Sequence, residues 1–133
     1  MLVFICEACS VRAPMAQAIA EHFFPDMMVD SAGVRSSYIH PMVREVLEDL
    51  RIGHHSLRSK DLLGVELEET THIIALCEEA ELPRLPKRIT VEHWGIPDPL
   101  CVPASERYDE FLTCRDTLIA RIQAWVRTHK TSQ

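Results

Sequence analysis

No stretch of this 133-residue chain is apolar for long enough to cross a bilayer, which takes about 20 residues of helix. The opening Met-Leu-Val-Phe-Ile is too short for the apolar part of a secretory leader and has no basic flank. Positive charge is not in excess either. Fourteen Lys and Arg face twenty Asp and Glu, for a net charge of −6. That leaves no basic footprint for nucleic acid. The five cysteines are odd in number and lack the paired spacing of a secreted disulfide scaffold. A reducing compartment, with thiols free or catalytic, is the expected setting. No zinc-type spacing joins histidines to cysteines, and His54-His55 sits in a loop without ligand partners. Repeats, low-complexity tracts and linkers are also missing. The expectation is one cytoplasmic domain over residues 1–133, with no bound metal and no membrane or nucleic-acid partner.

What is present begins at the N-terminus. Leu2 to Ile5 is a continuous apolar run, as in a parallel strand buried on both faces. It ends in Cys6, and Arg12 follows after Glu7, Ala8, Cys9, Ser10 and Val11. A strand-to-helix loop of this length can curl so that its N–H groups converge on one point and bind an anion. The helix N-terminus adds positive potential. Arg12 can offer a two-point fork to a tetrahedral oxyanion. Residues 7–12 are thus the candidate oxyanion-binding set. Cys6 would lie at the bottom of an electropositive cup, where its pKa should fall. The chemistry implied is thiolate attack on phosphate, arsenate or a similar oxyanion.

The rest of the chain alternates. A helix follows the loop, with Pro14 in its first turn and Met15, Ile19 and Phe23 as its apolar face. Met27 to Asp30 reads as a second strand, with Gly33 letting the chain turn away. Pro41 opens a second helix with Val43, Val46, Leu47 and Leu50 on one face and Gly53 as its stop. His54 to Leu63 has room for a short helix. Thr71 to Leu76 reads as a third strand ending at Cys77, and Glu78 to Glu81 as a helical turn. Arg88 to Trp94 reads as a fourth strand, on the alternation of Ile89 and Val91. Ser105 to Arg127 reads as a long helix with Phe111, Leu118, Ile122, Trp125 and Val126 inward, and Lys130 to Gln133 as a frayed tail. Such alternation predicts an α/β fold: a flavodoxin-like, three-layer arrangement of four parallel strands with helices on both faces. Ligands of such sheets bind beyond the carboxyl ends of the strands. Cys6, Cys77 and Asp98 all fall there.

Several motifs now line up. They are Cys6 to Arg12 with Pro14 and Met15-Ala16, Ser31-Ala32-Gly33, His40-Pro41, Arg58-Ser59-Lys60, Ala75-Leu76-Cys77, and His93-Trp94-Gly95-Ile96-Pro97-Asp98-Pro99. In this order the chain resembles the low-molecular-weight tyrosine phosphatase superfamily, and within it the thioredoxin-type arsenate reductases. The resemblance implies Cys6 as nucleophile, Arg12 as oxyanion clamp and Asp98 as general acid to the departing oxygen. It also implies Cys77 as the thiol that attacks the nucleophile sulfur, releases arsenite and leaves a disulfide. No cofactor would be bound. An external thiol reductant, glutaredoxin or thioredoxin, would reopen the disulfide.

The chain departs from that pattern at identifiable places. The third redox cysteine of the reductases is Arg84 here. The Gly-Asn inside the loop is Ala8-Cys9, and the hydroxyl residue after the arginine is Ala13. Cys9 is not expected to brace the loop as asparagine does. Glu7 brings negative charge to the mouth unless it points into water. Leu100-Cys101 stands where the phosphotyrosine branch has aromatic residues, leaving Tyr38 to supply a wall. Three readings follow: an arsenate reductase-like enzyme, a phosphatase acting on phosphate monoesters through a phosphocysteine, and a degenerate member that binds an anion or a partner with little turnover.

Overall fold

A computed structural model describes residues 1–77 and 82–130. Four strands carry the fold: β1 (Leu2–Cys6), β2 (Val29–Gly33), β3 (His72–Ala75) and β4 (Thr90–His93). They form one sheet in the order β2-β1-β3-β4, and every pairing is parallel. The three α-helices are α1 (Arg12–Phe23), α2 (Pro41–Glu48) and α3 (Arg107–Lys130). The expected α/β sheet of four parallel strands with helices is the one observed; among the described residues the α-helices pack on one face and 3-10 turns cover the other.

Alternation along the buried strands sorts the core into two halves. Leu2, Phe4 and Cys6 face the side where α1, α2 and α3 pack, together with Ile74, Met15, Val46, Leu47, Phe111 and Leu118. Val3, Ile5, Ala32 and Ile73 face the other side. There the cover comes from short 3-10 turns, Leu62–Gly64 and Leu67–Glu69, through Leu62, Val65 and Leu67. The helical turn expected over 78–81 and the end of the tail, 131–133, lie outside the described residues.

Boundaries differ where backbone geometry overrode composition. β2 runs to Gly33 instead of stopping at Asp30, because Ser31, Ala32 and Gly33 continue the ladder opposite Phe4, Ile5 and Cys6. α2 ends at Glu48, before the expected stop. Arg51 adopts the left-handed conformation (φ 57°), and Ile52 N–H returns to the Leu47 carbonyl at 2.9 Å. Arg51 therefore does what Gly53 was expected to do, and Leu50 turns outward. Phe23, assigned to the core face of α1, is likewise exposed. α3 starts two residues later and ends three residues later than expected, after a 3-10 turn at Ala104–Glu106. Its Arg115 is buried and holds α2 by donating to the Val46 carbonyl (2.9 Å) and Asp49 (3.1 Å). His54 is buried too, with Nε2 2.7 Å from Glu48 and its carbonyl taking Arg44. It is a packing residue with partners of its own, contrary to the expectation of a bare loop.

Candidate active site

The loop between β1 and α1 is built from its outside inward. Each outward carbonyl is taken by a donor from another segment. Cys6 O accepts from Val34 N–H (3.1 Å), Glu7 O from Arg35 N–H (3.0 Å) and Ser10 O from His40 N–H (3.0 Å). Ala8 O accepts from Ser59 Oγ (3.2 Å), whose oxygen in turn accepts from Ser37 N–H (2.8 Å). With carbonyls held outside, N–H groups are left facing the centre. Those of Ala13, Cys9 and Ser10 act on the Cys6 sulfur.

Gly33 is what allows this closeness. A Cβ there would lie 2.6 Å from Cys9 N and 2.8 Å from the Ala8 carbonyl carbon, and against the Arg35 carbonyl oxygen. Its role is close approach of β2 to the loop, and not the turn expected from sequence. Cys9 supplies the bend, with φ of 49°. Its side chain is fully buried behind the loop, where the thiol sits 3.9 Å from Ser31 Oγ. Ser31 Oγ donates to Gln17 Oε1 at 2.5 Å. Cys9 thus keeps a weak version of the brace that was expected to be lost.

A cavity of about 230 Å³ opens over the loop. Cys6, Arg12 and Asp98 all line it, as do Glu7, Ala8, Ser10 and Val11. Of the candidate oxyanion set only Cys9 does not reach the cavity wall. Arg12 is largely buried. Its Nη1 donates to the carbonyls of Leu76 (2.8 Å) and Ile96 (3.1 Å), tying α1 to the exits of β3 and β4. Its Nη2 stands 3.9 Å from Asp98 Oδ2. Asp98 is fixed by accepting from Leu100 N–H at 2.9 Å and heads the 3-10 turn Pro99–Cys101. Glu7 points into water and pairs with Arg35 at 3.3 Å, so its charge is offset at the mouth. Tyr38 lines the cavity as a mostly exposed wall.

Cys77 is placed differently. It is buried, one residue past Leu76 at the exit of β3, and does not line the cavity. Cys101 is exposed beside Asp98, while Leu100 takes the cavity wall. Among the described residues, no group of three or more metal-ligating side chains gathers anywhere.

The electrostatics of Cys6 also differ from expectation. Burial pushes its thiol above the ordinary value, against the pull of the Ala13 amide, Arg12 and the Cys9 and Ser10 amides. Two features explain why the pull falls short. Ala13 has no hydroxyl to donate, and Arg12 spends Nη1 on two carbonyls. Cys114 on α3 is a further thiol that helical periodicity had hidden in the core. It feels Arg12, Asp98 and Cys6, and burial pushes its pKa up to about 12. Arg35, Ser37 and His40 line the cavity as well, and Ser59 holds its loop. They come from loops, where no periodicity marks them.

The chain and its fold have known counterparts. The chain is 32% identical over 133 residues to arsenate reductase 1 of Staphylococcus haemolyticus, covering 96% of this chain and 95% of that one. A solved arsenate reductase in a phosphate-binding state superposes with a TM-score of 0.80 at 23% identity, over 96% of each chain. A thioredoxin-dependent arsenate reductase of Corynebacterium glutamicum superposes with a TM-score of 0.79 at 22% identity, over 99% of this chain and 62% of that one. The profile of the low molecular weight phosphotyrosine protein phosphatases matches residues 1–133. The chain is an arsenate reductase-like enzyme and belongs to the low molecular weight phosphotyrosine protein phosphatase family.

Proposed function

We propose that this enzyme reduces arsenate through Cys6. The observation that carries the reading is the convergence of Cys6, Arg12 and Asp98 on one cavity, over a loop whose Cys6, Glu7, Ala8 and Ser10 carbonyls are held outside. The inward N–H groups and Arg12 hold the oxyanion. Cys6 loses a proton as its sulfur attacks arsenic, and the departing oxygen gains one. Asp98, on the same wall, is the carboxylate that carries it.

Reduction needs a second thiol. Cys77 sulfur attacks Cys6 sulfur, the S–As bond breaks, and its electron pair stays on arsenic. Arsenic(V) leaves as arsenite, and two thiols become one disulfide. Cys6 and Cys77 leave adjacent parallel strands, with Leu76 N–H on the Ile5 carbonyl at 2.7 Å, which suits the close Cα spacing of about 7 Å or less that a disulfide needs. The Cys77 side chain itself does not line the cavity. Arg84 removes the onward relay, so an external thiol reopens the disulfide. Glutathione with glutaredoxin, or another small thiol, should serve, without strict dependence on thioredoxin.

The absence of Cys77 from the cavity lining also favours a second reading, phosphate-monoester hydrolysis through a phosphocysteine, in which water replaces the second thiol. One experiment separates the two. Reduced protein is given arsenate or p-nitrophenyl phosphate, and arsenite and nitrophenol are assayed separately with each thiol donor. Arsenite release that disappears in Cys77→Ser supports the reductase. Nitrophenol release with no arsenite from any donor replaces it with the phosphatase. Undiminished arsenite from Cys77→Ser removes the internal disulfide step.

A further inference from the structure

His40 sits immediately before α2 and performs the helix cap through its ring. Nδ1 accepts the Met42 N–H at 3.1 Å. This is an unusual choice. Asn, Asp, Ser and Thr are the preferred caps, because a cap needs only one short acceptor. An imidazole brings a second nitrogen that the cap does not use. His40 also lines the cavity over Cys6, in company with Arg12 and Asp98. It is held from two sides. Its backbone N–H is tied to the Ser10 carbonyl of the loop at 3.0 Å. Its face leans on Phe111 of α3, with centroids 5.2 Å apart.

The cap fixes the proton. A neutral imidazole has one donor and one acceptor nitrogen. With Nδ1 accepting, the hydrogen must be on Nε2. Protonation of the ring would put an N–H on Nδ1, facing the Met42 N–H, and break the cap. Burial and the positive charge of Arg107 on α3 both hold the ring below its usual pKa. The charged or titratable groups sharing its cavity are Cys6, Glu7, Arg12, Arg35, Tyr38 and Asp98. No partner for Nε2 is found among the described residues.

We propose that His40 is a substrate-binding residue whose Nε2–H donates a hydrogen bond to an oxygen of the oxyanion held over Cys6. It would be a neutral donor on the wall, complementing the charged fork of Arg12. The inference rests on the oxyanion reading of the site but not on arsenate as the natural substrate.

Inorganic phosphate is therefore the probe. Long-range ¹H–¹⁵N spectra of the wild-type histidine rings should show His40 as the Nε2–H tautomer, with that signal moving as phosphate is added. His40→Asn keeps a strong cap acceptor and removes the Nε2–H together with the ring face on Phe111. Its urea midpoint should drop slightly through the lost ring contact, and it should bind phosphate about five- to tenfold more weakly, the size expected of one neutral hydrogen bond. A role in capping alone predicts wild-type affinity in His40→Asn, and that result overturns the proposal. So does an Nδ1–H tautomer, or an Nε2 signal indifferent to phosphate, which decides the matter even if the variant folds poorly. Wild-type protein that binds neither phosphate nor arsenate would instead sink the oxyanion reading, and this inference with it.

Discussion

The nucleophile loop stands between two flanks that are built on different principles. On the β2 side the contacts are mostly uncharged and shape-giving, the exposed Arg35–Glu7 pair at the mouth apart. Gly33 admits the loop backbone, Val34 and Arg35 N–H groups take its carbonyls, Ser59 takes another, and Cys9 is packed against Ser31. On the β3–β4 side the contacts are few and carry charge. Arg12 reaches the Leu76 and Ile96 carbonyls and faces Asp98. Cys77 and Cys114 lie on this flank as well, both buried. The difference teaches how the labour is divided. One flank holds the loop in its curl, and the other carries the groups to which the proposed mechanism gives chemical roles, Arg12, Asp98 and Cys77.

The sharpest way to break that division is Arg12→Lys. Lysine keeps the charge and loses the planar two-point contact. Removal of one preorganised charge-stabilising group costs about 10²–10³ in rate, so turnover should fall by that order, with arsenate or with a phosphate ester. The fold should lose only about 1–3 kcal/mol, from carbonyls that Arg12 no longer satisfies. Kinetics and urea unfolding on one preparation check both numbers. Wild-type inhibition by phosphate in this variant would deny Arg12 the clamp.

Gly33→Ala attacks the other flank. The new methyl group meets backbone atoms of Cys9, Ala8 and Arg35, none of which can rotate away. Overpacking of this kind costs about 1–3 kcal/mol. The loop must also open, so phosphate affinity should fall with stability. In Arg12→Lys the stability loss is of similar size, but turnover should fall in the still-folded protein, at denaturant-free conditions where the loss of stability leaves it native. A Gly33→Ala protein with full phosphate affinity would show that the β2 flank does not shape the cup.

The same division decides what could be read in the sequence. The convergence of Cys6, Arg12 and Asp98 was legible because Cys6 ends β1, Arg12 opens the helix that follows it and Asp98 lies in the loop beyond β4, and the carboxyl ends of parallel strands share one rim. The sheet itself was legible because β1 and β3 are short apolar runs. The shaping flank was not. Ser31-Ala32-Gly33 reads as a turn by composition, yet these small residues extend β2 because the loop packs against them. Ser37 and Ser59 are ordinary loop serines until the fold brings them to Ala8. Arg51 gave no sign that it would take the left-handed position before Ile52. The low pKa expected for Cys6 failed for a related reason. The motif advertises the amides and the arginine, and it is silent on how deeply the sulfur is buried.

The smallest effect concerns the thiols that burial keeps protonated. Cys6, Cys9 and Cys114 all have pKa values raised by desolvation, Cys114 to about 12. A group with a raised pKa in the folded state binds its proton more tightly there than in the unfolded chain. Its contribution is complete below the unfolded thiol value of about 8.5. It is lost as pH rises from there toward the folded value. The protein should therefore lose stability in mildly alkaline solution, and lose part of it through Cys114. Cys114→Ala removes that part. At pH 7 the variant should be less stable than wild type, because a buried side chain is truncated. Between pH 8.5 and 10 its urea midpoint should fall less steeply than that of the wild type. Lysine and tyrosine titrations are common to both proteins and cancel in the comparison. Equal slopes would mean that the Cys114 thiol ionises in the folded protein as easily as in the unfolded one, and that the α3 side of the charged flank is wetter than its packing indicates.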